Sequence, residues 1–121
     1  MASIAFAIPR REGSEDHSKE LVQALTGERG DEVHKRRLQH GFDRIKVWHQ
    51  DEPRISIVYM EADDLQAAFR NVASDDHEQV KWVSDMIQKI TGHHPTDHAG
   101  RPASRLVLDW HREKGHSATH H

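Results

Sequence analysis

The chain has 121 residues, of which 35% are hydrophobic and 31% charged, with a net charge of −3 when histidine is neutral and no cysteine. That is the size of one domain with one core, and the missing cysteine excludes a disulfide framework, a thiolate zinc site and a cysteine nucleophile. Without an excess or stripe of basic residues, the chain also lacks the electrostatic footprint of a nucleic-acid partner. The first apolar run, residues 2–8, is too short for a signal-peptide core, and Arg10-Arg11 follow it instead of preceding it. No run approaches the length of a membrane span. These features predict a cytoplasmic protein with no membrane partner.

In chain order, the first element is a strand over 3–9, where Ile4, Phe6 and Ile8 alternate with Ser3, Ala5 and Ala7 until Pro9. Ser14, followed by Glu15 and Asp16, suits a helix start. The pattern over 14–40 predicts one long helix, bent or broken near Gly27–Gly30 and stopped by Gly41. Residues 43–50 and 53–61 then form a hairpin around Asp51-Glu52. Both faces of that hairpin carry apolar residues, and one domain's helices cover only one of them. The other face therefore predicts a homodimer.

Asp63 with Gln66 reads as a capping-box variant before a helix carrying Leu65, Ala68, Phe69 and Val72. Asp75 with Glu78 caps the next helix, whose stripe is Trp82, Val83, Met86, Ile87 and Ile90. Thr91-Gly92 ends it, and Pro95 follows as expected beyond a helix end. Residues 105–111 alternate as a closing strand. The segment 112–121 has no periodicity and is expected to be a disordered, histidine-rich tail on a single domain spanning 1–111.

Twelve histidines are present, seven of them after residue 90: His93, His94, His98, His111, His116, His120 and His121. Connector punctuation explains the 91–102 stretch without a metal, and no residue there is assigned as a ligand. A metal-binding protein using these late histidines remains the third functional alternative. His34, His40, His49 and His77 fall within or beside predicted elements, where histidine serves as an acid or base near neutral pH or as a structural side chain with one hydrogen bond. His49 shares a strand face with Ile45 and Val47. The Lys35-Arg36-Arg37 run reads as a solvated helix face, or, where it borders a pocket, as a receptor for a carboxylate or phosphate. No phosphate loop, dinucleotide fingerprint, serine elbow or zinc-protease motif is present, so no cofactor is expected.

The order strand, helix, strand, strand, helix, strand is that of a ferredoxin-like βαββαβ fold, an α+β class with a four-stranded antiparallel sheet. With SIAFAIP, ISIVYMEADDLQAAF, VASDD…KW and LVLDW, residues 2–111 resemble the dimeric α/β-barrel superfamily. The resemblance implies two sheets packed face to face in a homodimer. Two branches of that superfamily imply activities. Cofactor-independent, quinone-forming monooxygenases bind a polycyclic phenol between sheet and helices. Sugar mutarotases share an AS-x-D…W stretch, here Ala73-Ser74-Asp75-Asp76 and Trp82, and an HG, here His40-Gly41. The mutarotase helix motif is missing and Trp82 is single, which argues against that activity.

The expectation is a small-molecule-binding dimer catalysing a cofactor-independent oxidation or isomerisation. His34 or His49 would be the base, Tyr59 the hydrogen-bond donor, and Trp48, Trp82 and Trp110 the pocket walls. The alternative is a non-catalytic dimer that binds a metabolite or modulates a partner.

Overall fold

The computed structural model describes residues 2–94 and 106–118. Nine elements follow in order: β1 (Ala2–Pro9), α1 (Glu15–Thr26), α2 (Gly30–His40), β2 (Phe42–Gln50), β3 (Ile55–Ala62), α3 (Leu65–Ser74), α4 (Glu78–Thr91), β4 (Leu108–His111) and β5 (Gly115–Ala118). The class is mixed α+β, as the alternation of period-2 and helical stretches predicts.

Strands β1, β3 and β2 form a three-stranded antiparallel sheet in that spatial order. The register sets Phe6 and Val47 on either side of Val58, and Ala7 and Trp48 on either side of Ile57. Because side chains alternate across a sheet, Ile4, Phe6, Ile8, Ile45, Val47, Val58 and Met60 share one face. The helices pack over it. The opposite face presents Ala5, Ala7, Lys46, Trp48, Ile57 and Tyr59. A bulge between Phe42 and Arg44 corrects the parity. It lets Phe42 join Ala62 and Ala68 in the core, with Phe69 edge-on to Phe42 at a centroid distance of 5.9 Å.

The predicted long helix is two helices. Gly30 begins the second so close to the first that a Cβ there would stand 2.5 Å from the Leu25 carbonyl oxygen. Gly41 ends it with φ 102°, a left-handed conformation in which its amide reaches the Arg37 and Leu38 carbonyls. The polypeptide therefore turns straight from His40 into β2.

Arg10 secures the hairpin. Its guanidinium is buried and donates to the Ile55 carbonyl and to the Gln50 carbonyl at 3.1 Å, with Asp51 3.7 Å away. Next to it, the Arg11 amide donates to the Ile90 carbonyl at 2.7 Å, tying the end of β1 to the end of α4.

Three expectations are corrected. The cap of α3 is Asp64, one residue beyond Asp63, and its carboxylate accepts from the Ala67 amide at 3.0 Å. The cap of α4 is His77, whose Nδ1 accepts from the Gln79 amide at 3.1 Å, while Asp75 accepts from the His77 amide one step earlier. The closing strand does not supply a fourth strand to the sheet. Leu108–His111 pairs instead with Gly115–Ala118 through a turn in which the Lys114 amide meets the His111 carbonyl. Such a hairpin closes a loop of a few residues, whereas pairing with β1 would span about a hundred, so the local partner has the smaller entropic cost. Part of the segment expected to be a featureless tail is thus β5; residues 119–121 lie outside the described residues.

Ala68 is 1% exposed against the sheet. Ala68→Leu should therefore overpack the α3–sheet contact and lower unfolding free energy by about 1–3 kcal/mol, read as a shift of the urea midpoint at constant slope.

Candidate functional site

A cavity of about 260 Å³ lies between the helix-facing side of the sheet and the helices. Its floor is Phe6, Val47, Val58 and Met60, and its roof comes from Leu25, Val33, Phe69, Val83 and Ile87. Val47 is 54% exposed and His49 is exposed while both line the cavity, so it opens along the β2 edge. A site of this kind, mostly apolar with a few convergent polar groups, is the usual form of a small-molecule pocket.

The charged convergent groups come from α2, while His49, His93 and His94 also line the cavity. Val33, Arg36, Arg37 and His40 are spaced i, i+3, i+4 and i+7, and all four line the cavity. Leu38 points the other way and is 60% exposed. This helix turns two arginines inward beside Val33 while Lys35 and Leu38 are exposed, a mixture an ordinary amphipathic helix lacks.

His40 is 6% exposed, and its Nε2 lies 2.8 Å from Asp75 Oδ2. The main chain of His40 is held as well, because Asn71 donates to its carbonyl at 2.9 Å. Asp75 accepts from the His77 amide at 2.9 Å and has Arg36 Nη1 at 3.6 Å. Its carboxyl is held below the usual carboxylate range, first by the His77 amide and then by His40 and the Arg36 charge, against the opposing effect of desolvation. The network extends through Glu32, which lies 3.6 Å from Arg36 Nε and 3.2 Å from His77 Nε2. A carboxylate bound to one imidazole nitrogen fixes the ring's tautomer and orientation and leaves Nδ1 as the ring's other nitrogen for exchange with a ligand.

The residues expected from the sequence are dispersed. His49 borders the cavity, with its pKa lowered by partial desolvation and by the nearby Arg10 charge, against the opposite pull of Asp51. Tyr59 is on the other face of the sheet, where its hydroxyl donates to Glu61 Oε1 at 2.6 Å; that bond raises its pKa. His34 is exposed on α2 and does not line the cavity. Trp48 lies on the open sheet face with the Lys46 ammonium 5.8 Å from its ring centroid. Trp82 stacks under the Arg29 guanidinium at 4.1 Å, and Trp110 is exposed on the β4–β5 hairpin. No two of these six meet at the cavity.

His40 and Asp75 were legible only as neighbours of a turn and a cap. Stretches 40–41 and 73–76 are joined by the fold, 35 residues apart in sequence. The spacing of Arg36, Arg37 and His40 behind Val33 is the signal that could have marked an inward polar stripe. Among the described residues no group of three or more metal-ligating side chains occurs; His98, His120 and His121 lie outside them. No helix of the described residues is long and apolar enough to cross a membrane. No protein-family model matches the chain, and neither a curated protein nor a solved structure shows significant similarity to it.

Because Asp75 has a lower pKa folded than unfolded, its ionised form stabilises the fold above about pH 4, the ordinary carboxylate range, and that contribution is lost as pH falls through the folded value. Asp75→Asn should thus be less stable than the wild type at pH 6, with the gap closing as the pH is lowered below 4 in urea titrations.

Proposed function

We propose that the cavity binds a small, largely apolar molecule and that His40, oriented by Asp75, exchanges a proton with it. The observation that supports this reading most directly is a buried imidazole, held at 2.8 Å by a carboxylate, in the wall of an apolar cavity. The cavity opens along the β2 edge, so a proton passed between the ring and an activated C–H or O–H of the ligand can exchange with solvent between turnovers. Isomerisation by proton removal and return needs no other group. A cofactor-independent oxidation would begin with the same removal, His40 taking the proton from a phenol or enol before dioxygen reacts.

The homodimer belongs to the same proposal, with the uncovered sheet face as its interface. Trp48, Ile57 and Tyr59 provide its apolar centre, and Arg44 stands across from Glu61 and Lys46 across from Tyr59, a charge distribution that a two-fold axis can make self-complementary. Two such sheets face to face would form the α/β barrel that the resemblance implies. The non-catalytic alternative is favoured by one observation: Asp75 also orders the start of α4 and holds Arg36, so the His40 contact has a structural duty of its own.

Two experiments test these readings. One- and two-ring compounds would be screened by ligand-observed NMR, and those that bind followed for hydrogen–deuterium exchange at activated carbons in heavy water. His40→Gln should retain binding and slow that exchange by roughly 10²–10⁴-fold, the usual contribution of a positioned acid–base group. Equal exchange in the variant would remove His40 from the chemistry, and binding without any exchange would leave the non-catalytic reading. For the interface, sedimentation at micromolar concentration should give twice the chain mass, and Trp48→Asp should yield a folded monomer; a monomeric wild type would end the barrel proposal.

A further inference from the structure

Resting on the proposed small-molecule cavity, a second reading concerns what kind of molecule enters it. Arg36 and Arg37 both line the cavity, but they are differently employed. Arg36 is committed, with Glu32 and Asp75 each 3.6 Å from its guanidinium. Among the described residues Arg37 has no carboxylate within ion-pair distance, and its guanidinium forms no hydrogen bond with any of them. Burial among apolar neighbours lowers its pKa, with no compensating charge. A second donor in the same wall is unused: Arg36 Nε is buried, and its nearest acid is too distant for a hydrogen bond.

A desolvated guanidinium with no anion destabilises a fold unless something else uses it. It is partly buried and joins no network of the described residues, and a turn of the helix by one position would have exchanged it for Leu38. We propose that the ligand is a monocarboxylic acid with a one- or two-ring apolar body, and that Arg37 receives its carboxylate. Charge selects the head group: one uncommitted cation matches one negative charge, whereas a phosphate dianion would need the Arg36 charge that Glu32 and Asp75 already neutralise. Size selects the body. The cavity is smaller than the roughly 300–1,000 Å³ of pockets for drug-sized ligands, and its walls apart from α2 are mainly apolar, with His49, Ser56, Ser84, Thr91, His93 and His94 as the polar members. Arg37 and His40 are three residues apart on one helix face, so a carboxylate on the first places the adjoining carbon or ring hydroxyl towards the second. Arg37 is accordingly a binding residue and His40 the group that meets the reacting proton.

The test compares 1-naphthoate with 1-naphthamide, its neutral counterpart of the same shape, by calorimetric titration into the full chain. Wild type should bind the acid roughly 10- to 100-fold more tightly than the amide, as expected for a charge-assisted hydrogen bond in a dry site. Arg37→Gln should abolish that preference and leave the amide's affinity unchanged, and Arg37→Lys should keep part of it. The acid should raise the melting temperature of wild type more than the amide does, and that of Arg37→Gln by no more than the amide does. Arg37→Met, which retains the apolar stem, takes the place of the glutamine variant if the latter no longer binds the amide. Equal affinity of wild type for acid and amide, or an unchanged preference in the Arg37 variants, overturns the carboxylate inference and leaves the cavity reading in place. Failure of both probes to bind wild type overturns both.

Discussion

The roof of this protein depends on one contact, His40 Nε2 to Asp75 Oδ2 at 2.8 Å. It joins the last residue of α2 to the junction of α3 and α4. Asp75 in turn orders the His77 amide and holds Arg36, which reaches Glu32, which reaches His77. Three helices are therefore fastened by a chain of charges and not by interdigitated leucines. The face of α2 that looks at the sheet carries two guanidinium groups and an imidazole beside Val33, and all of them line the cavity.

The elements were legible where local chemistry decides them. Alternation of Ile4, Phe6 and Ile8 marked β1, and Gly41 marked the end of α2, because period and left-handed backbone are properties of a few consecutive residues. The four-stranded sheet was not legible in the same way. The pattern of 105–111 identifies a strand but carries no information about its partner, and the partner found is β5, in a segment without any periodic signal. Pairing depends on competition between closures of different length, which period alone does not encode.

The site was less legible than the fold for a related reason. His49, Tyr59 and the three tryptophans attract attention as residue types, yet alternation sends Tyr59 to the face opposite His49 and helix geometry places Trp82 under Arg29. His40 and Asp75 looked like punctuation, a helix end and a helix cap. Each does serve that purpose: Gly41 turns the chain directly after His40, and Asp75 precedes the α4 cap. The His40–Asp75 pair was hidden in residues whose local role already explained them. The counter-signal was Arg36 and Arg37 on the same 3.6-residue stripe as Val33, a conflict between pattern and polarity of the kind that marks functional surfaces.

Arg10 has a consequence for the order in which the chain assembles. Strands β2 and β3 are separated by four residues and can pair on their own, but β1 must find β3 across some fifty, and that closure is the slow, nonlocal part of building the sheet. The Arg10 guanidinium recognises the finished hairpin turn, since the Gln50 and Ile55 carbonyls and the Asp51 carboxylate come together only once β2 and β3 are in register. It thus acts as a proofreading clamp: β1 displaced by two residues would keep its apolar face inward yet leave a buried guanidinium without acceptors. Hydrophobic alternation tolerates such a slip; this arginine does not.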